Sequence, residues 1–136
     1  MIVFNSLNDF VLENENQISA WLSGIVENEG FRIGDVNYIF CDDDYLLDIN
    51  QKYLNHDTYT DVIGFDYTIG KTLSGDIYIS TERVTENAQM FNQVEADEMR
   101  RVIIHGLLHF MGYKDKTNTE ASMMKSKEDE ALEGFK

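Results

Sequence analysis

Apolar positions alternate between two periods along this chain. Ile18, Trp21, Leu22, Ile25 and Val26 recur at intervals of three and four, which predicts a helix from about Gln17 to Glu29, capped by Asn16 and stopped at Gly30. In DVNYIFC, residues 35–41, Val36, Tyr38 and Phe40 fall on every second position, the period of a half-buried strand. IVFNS, residues 2–6, reads as a further short strand. So do DVIGFDY, 61–67, and GDIYIS, 75–80, and the loop TIGKTLS between these two suggests a hairpin. Thr81 opens a helix that includes Arg83 to Phe91. The longest helix follows from about Glu95 to Met111, with Gly112 as its stop, and a last one runs from about Thr119 to Leu132. The acidic triplet at 42–44 suits the N-terminus of a helix from Tyr45 to Leu54, with Asp42 or Asp43 as the cap, better than it suits a metal loop. Strands and helices in this mixed order predict an α+β fold, a small mixed sheet of about four strands packed by helices.

Length and composition narrow the class. The 136 residues fit one domain, 1–136, with a single core and no internal repeat, proline-rich stretch or Gly/Ser linker. The apolar runs are too short to span a membrane, and the first residues, MIVFNSLNDF, lack the pattern of a signal peptide. Cys41 is the only cysteine, so no internal disulfide is available, which fits a reducing, cytoplasmic setting. The charge is −14, from 25 acidic and 11 basic residues. A protein that grips nucleic acid through its phosphates ordinarily carries a basic face, so this balance argues against a general nucleic-acid binder. It leaves room for a local basic patch: Arg100, Arg101, Lys114, Lys116, Lys125 and Lys127 lie close together in sequence.

The chemistry concentrates in IIHGLLHFMGYKDK, residues 103–116. His105 and His109 stand four apart, so on a helix both rings lie on one face and can converge on one point. Gly112 lets the chain leave the helix, and Asp115 then offers a carboxylate as a third ligand. Two imidazoles and one carboxylate suit Zn²⁺ and leave a position for water. The competing reading is an apolar helix that carries two packed histidines, which costs free energy unless both rings are satisfied. In zinc peptidases the residue after the first histidine is a glutamate base; here it is Gly106. Peptide hydrolysis is thereby disfavoured against metal-assisted phosphodiester cleavage, in which the metal-bound water or a substrate hydroxyl attacks. No other catalytic residue is legible. His56, in YLNHDTYTD, reads as surface.

HGLLH, then two residues, then GYKD resembles the signature of the YbeY family of rRNA maturation factors, His-Gly-x-Leu-His, two residues, Gly-Tyr-Asp-His. TDVIGF at 60–65 is similar to that family's Thr-Asp-Val-Leu-Ser-Phe, and GDIYIS to its Gly-Asp-Ile strand. DDDYLLDINQKYL resembles its short helix, and the spacing of Glu120, Met124 and Glu128 its C-terminal helix. The resemblance implies a zinc-dependent single-strand endoribonuclease with one Zn²⁺ per chain, the metal site lying on the long helix and the turn after it. It places His105 and His109 on the first two ligands and Asp115 where the family has a third histidine. Lys114 stands at a family aspartate, and Leu54 at a family arginine associated with substrate phosphate. Lys52 and His56 are the nearby candidates to replace that arginine, and Lys114 and Lys116 are further candidate substrate contacts.

The role implied is maturation of the 3′ end of small-subunit rRNA and ribosome quality control in the cytoplasm. Its partners would be rRNA, the small ribosomal subunit and ribosomal proteins, with no membrane. Two alternatives stand beside it: a non-catalytic ribosome assembly factor with a structural zinc, favoured by Leu54, and a zinc peptidase, disfavoured by Gly106.

Overall fold

A computed structural model of the chain describes residues 1–56 and 58–135. The elements run β1 (Ile2–Ser6), α1 (Glu15–Asn28), β2 (Arg32–Cys41), α2 (Asp43–Leu54), β3 (Val62–Asp66), β4 (Thr72–Ser80), α3 (Thr81–Met90), α4 (Glu95–Phe110) and α5 (Asn118–Glu133). The four strands form one sheet in the order β1-β2-β4-β3. β1 and β4 both pair parallel with β2, and β3 pairs antiparallel with β4. The α+β expectation and the mixed sheet hold, as does the hairpin between β3 and β4.

Parallel neighbours cannot be joined by a tight turn, so each parallel pair needs a crossover. Helix α1 supplies the first, while α2 and β3 lie within the second. Side-chain alternation then gives the sheet two apolar faces. Val36, Tyr38 and Phe40 of β2 and Leu73, Ile77 and Ile79 of β4 join the larger core with α1, α4 and α5. Tyr78, on the alternate positions, meets Leu46, Ile49, Ile63 and Phe65 beneath α2. The anticipated α1 stripe splits: Ile18, Leu22 and Val26 are buried, while Trp21 and Ile25 are partly so.

Several boundaries move. β2 and β4 each begin three residues before their alternating stretches, because Arg32 pairs with Thr72 and Ile33 with Leu73 ahead of an irregularity between Ile33 and Val36. Helix α1 starts at Glu15 rather than after a cap at Asn16; Asn14 occupies the cap position at φ 61°. The acidic triplet caps differently from the expectation. Asp42 holds the N-cap position of α2 without a side-chain bond to the helix, and its Oδ1 accepts from Asn8 Nδ2 at 2.9 Å. Asp43 instead accepts from Ser80 Oγ at 2.6 Å and pairs with Arg83 at 2.8 Å, tying α2 to α3. Among the described residues, no helix is long and apolar enough to cross a membrane.

At Gly75, where β3 and β4 pair under Phe110, a Cβ would stand 2.2 Å from the Phe65 carbonyl oxygen and 2.7 Å from the Phe110 ring. Gly24, in the middle of α1, has nothing within 4 Å of such a Cβ. Gly75→Ala is therefore expected to lower unfolding free energy by about 3 kcal/mol, and Gly24→Ala to raise it by up to about 1 kcal/mol. Urea denaturation of the two variants checks both signs.

Candidate metal centre

Helix α4 opens with Glu95, Asp97 and Glu98, charges that suit a helix N-terminus. It buries Met99, Val102, Ile103, Ile104, Leu107, Leu108 and Phe110. Between the histidines it meets the sheet closely. A Cβ at position 106 would lie 2.9 Å from Ile77 Cδ1, and the Phe110 ring lies over Gly64 and Gly75. Tyr38, fully buried on β2, donates from its hydroxyl to the Ile103 carbonyl at 2.8 Å. These contacts set the height and rotation of α4, which leaves His105 and His109 on its flank, half-buried.

The turn after α4 is fixed at both ends. Gly112 takes φ 101°, a conformation that favours glycine, while the Tyr113 N–H donates to the Leu108 carbonyl at 3.0 Å. The Tyr113 hydroxyl donates to Glu29 at 2.6 Å, and Lys127 binds the other oxygen of Glu29 at 3.1 Å. At the far end Thr117 and Glu120 form a reciprocal capping box on α5. Asp115, between these anchors, points back to α4.

The result is a tight triangle. His105 Nε2 and His109 Nε2 are 3.0 Å apart, and Asp115 Oδ2 is 3.4 Å from each. Donors about 2.0–2.1 Å from a tetrahedral zinc would be separated by roughly 3.3 Å. The three atoms thus have the dimensions of one tetrahedral face and could hold a metal ion.

Behind them lies a support that the sequence did not announce. Glu128 of α5, nearly fully buried, accepts from His105 Nδ1 at 2.6 Å. That bond keeps the proton on Nδ1 and leaves Nε2 free as a ligand, the arrangement in which a carboxylate orients a metal-binding histidine. Glu128 also accepts from Arg101 at 2.8 Å, and Arg101 reaches Asp129 as well. Burial alone would lower the His105 pKa, but the hydrogen bond and charge of Glu128, with Asp115 and Asp61, raise it above its ordinary value in the metal-free chain. A glutamate on the same helical stripe as buried Met124 and Ala131 was the available signal. A carboxylate in a core stripe calls for a buried partner.

The triangle opens on a cleft of about 550 Å³ whose walls include Leu54, His56, Asp61, Val62 and Phe110. Asp61 is the second residue missed. It sits within TDVIGF, its Oδ2 lies 3.5 Å from Asn87 Nδ2, and burial raises its pKa, partly offset by His105 and by backbone hydrogen bonds. Of the candidate substrate contacts, only His56 lines this cleft. Lys52 pairs with Asp48 at 3.1 Å and borders a separate groove with Tyr53 and Tyr78. Lys114 and Lys116 are exposed on the turn that carries Asp115. Within the basic group anticipated from the sequence, Arg100 pairs with Asp97, Arg101 with Glu128 and Asp129, and Lys127 with Glu29. Burial pushes the Cys41 thiol up to about 12, which makes it a poor nucleophile. At position 106 a glutamate would be driven against Ile77, so the packing itself disfavours a peptidase base there.

The model of the family described as Endoribonuclease YbeY matches residues 4–136. A Flavobacterium johnsoniae protein named Endoribonuclease YbeY is 52% identical over 135 residues, covering 99% of this chain and 97% of its own. A protein of the same name from Christiangramia forsetii is 55% identical over 134 residues, covering 98% and 94%. The solution structure of a Thermotoga maritima protein superimposes with a TM-score of 0.67 at 29% identity, across 98% of this chain and 87% of that one.

Two outcomes are expected at the centre. Glu128→Gln should weaken metal affinity about 10- to 100-fold in competition with a chromophoric chelator. In the metal-free chain, the raised His105 pKa contributes stability that is present below the ordinary value of 6.5 and is lost as pH rises through the raised one. Melting temperature of chelated protein should therefore fall as pH climbs from about 6 to 8, and the Glu128→Gln variant should show a shallower fall.

Proposed function

The chain belongs to the YbeY endoribonuclease family, and from that premise we propose that it is a zinc-dependent endoribonuclease acting on single-stranded RNA, with His105, His109 and Asp115 as the metal ligands. The observation that carries this reading is the donor triangle, 3.0, 3.4 and 3.4 Å on its edges, facing a cleft. Zinc in that position would supply Lewis acidity to a phosphodiester. The chain's own residues do the rest. Glu128 holds the His105 proton on Nδ1, and Arg101 balances the charge of Glu128. Asn50 donates to the Thr58 carbonyl at 2.8 Å and so fixes the loop that carries His56 and Tyr59 along the cleft. Asp61 places a buried carboxylate in the same wall.

The biological role we propose is maturation of small-subunit rRNA at its 3′ end and ribosome quality control in the cytoplasm, with rRNA, the small subunit and ribosomal proteins as partners. A charge of −14 repels naked RNA at long range, so selection falls to the local cleft and to basic surfaces on a ribosomal partner. One observation favours a second reading, a non-catalytic assembly factor with a structural zinc. Leu54, an apolar residue, lines the cleft at the position of the family's arginine, and no arginine lines it among the described residues.

Elemental analysis of untagged protein should find close to one zinc per chain, and Asp115→Ala should lose most of it. Zinc-loaded wild type should cleave single-stranded RNA. Removal of the metal by chelation, or His109→Ala, should lower the rate by at least about 100-fold. Intact RNA beside full zinc occupancy would move the assignment to the assembly factor. Digestion of casein would restore the peptidase.

A further inference from the structure

The metal centre opens on two grooves rather than one. His105 and Asp115 line the cleft against β3, and they also line a second groove of about 800 Å³ between the α3–α4 turn and α5. An endonuclease differs from an enzyme that trims ends in that its substrate continues on both sides of the bond that breaks. A site with one blind pocket cannot pass such a strand. A site at the junction of two open grooves can.

The second groove carries groups suited to a single strand. Phe91, at the end of α3, is 61% exposed, and none of the described rings stacks on it. Lys125, exposed on α5, has no acidic partner among the described residues, unlike Arg100, Arg101 and Lys127. Four acids line the groove. Glu128 and Asp129 are engaged by Arg101, which reduces their repulsion of a phosphate, Glu98 is buried, and Asp115 faces the two histidines. An exposed aromatic ring and an exposed cation lining one groove are the kind of groups by which proteins hold unpaired nucleotides without reading their sequence.

We propose that this second groove receives the RNA strand on the far side of the metal centre from the β3 cleft, with Phe91 stacking on a base and Lys125 meeting a phosphate. The assignment rests on the nuclease reading for the strand's continuity, but it concerns binding and can be tested as binding. The probe is a 2′-O-methyl RNA of about 12 nucleotides, titrated by fluorescence anisotropy into the zinc-loaded chain. Phe91→Ala and Lys125→Ala should each raise Kd about five- to tenfold, and Lys125→Ala should reduce the salt slope by about one. Zinc content should stay at the wild-type level in both. Lys71→Ala removes a charge elsewhere, from the Lys71–Phe31 contact, and controls for net charge.

Wild-type affinity in both groove variants, in a chain that does cleave RNA, overturns the groove assignment alone and leaves the groove to a protein partner. Weakened binding in both variants, in a chain that leaves cleavable RNA intact, keeps the groove assignment and sinks the nuclease reading. A wild-type chain that does not bind this RNA overturns the groove assignment, and the nuclease reading then stands or falls on cleavage alone.

Discussion

Everything at the centre depends on how closely α4 lies against the sheet. Gly106 meets Ile77 where a Cβ would stand at 2.9 Å, and Phe110 rests on the bare backbones of Gly64 and Gly75. Van der Waals contact at that range has little tolerance, since interiors are packed like crystals. Tyr38 adds a directed bond to Ile103, two residues before the first histidine. The height and rotation of α4 are thereby fixed by contacts on its apolar side, and the histidines on its flank inherit that precision. A donor triangle of about the right size for a metal is thus held in register by core packing.

The same helix sets the electrostatics. Three acids of the centre, Asp115, Glu128 and Asp61, surround a pair of imidazoles in a chain that is already strongly acidic. Such a cluster would be costly if unpaired. Arg101, one turn before His105, takes up Glu128 and Asp129, and His105 takes up the other oxygen of Glu128. Part of the basic group anticipated for substrate is therefore committed to buried or half-buried ion pairs. The others, Lys114, Lys116 and Lys125, are exposed on the turn and α5.

The sequence carried the local signals well. A period of three to four marked α1 and a period of two marked β2, while the Gly112 stop and the TIGKTLS loop helped to bound α4 and the β3–β4 hairpin. His105, His109 and Asp115 were legible as candidate ligands because the two histidines share one helical turn and the aspartate follows a glycine. What was hidden depends on separation along the chain. The first residues of β2 and β4, including Arg32, Gly34, Thr72 and Ser74, are polar or small, and their strand character comes from pairing across about forty positions. The bond from Glu128 to His105 joins two helices, and Asp61 enters the cleft from the loop before β3. The acidic triplet showed the limit of local rules: Asp43 answers to Ser80 and Arg83 rather than to its own helix.

The placement of the donors has a consequence for the order in which this chain becomes competent. The four described sheet strands lie before residue 81, whereas the donor triangle and its carboxylate support span positions 105 to 128. A chain made from its N-terminus therefore possesses its scaffold well before its chemistry. Until α5 has emerged, His105 lacks the acceptor that orders its ring. Until α4 docks, Leu73, Ile77 and Ile79 lack their cover. The helices made after the sheet thus both seal the core and complete the donor cluster, so a nascent chain cannot carry a finished cluster on an unfinished fold.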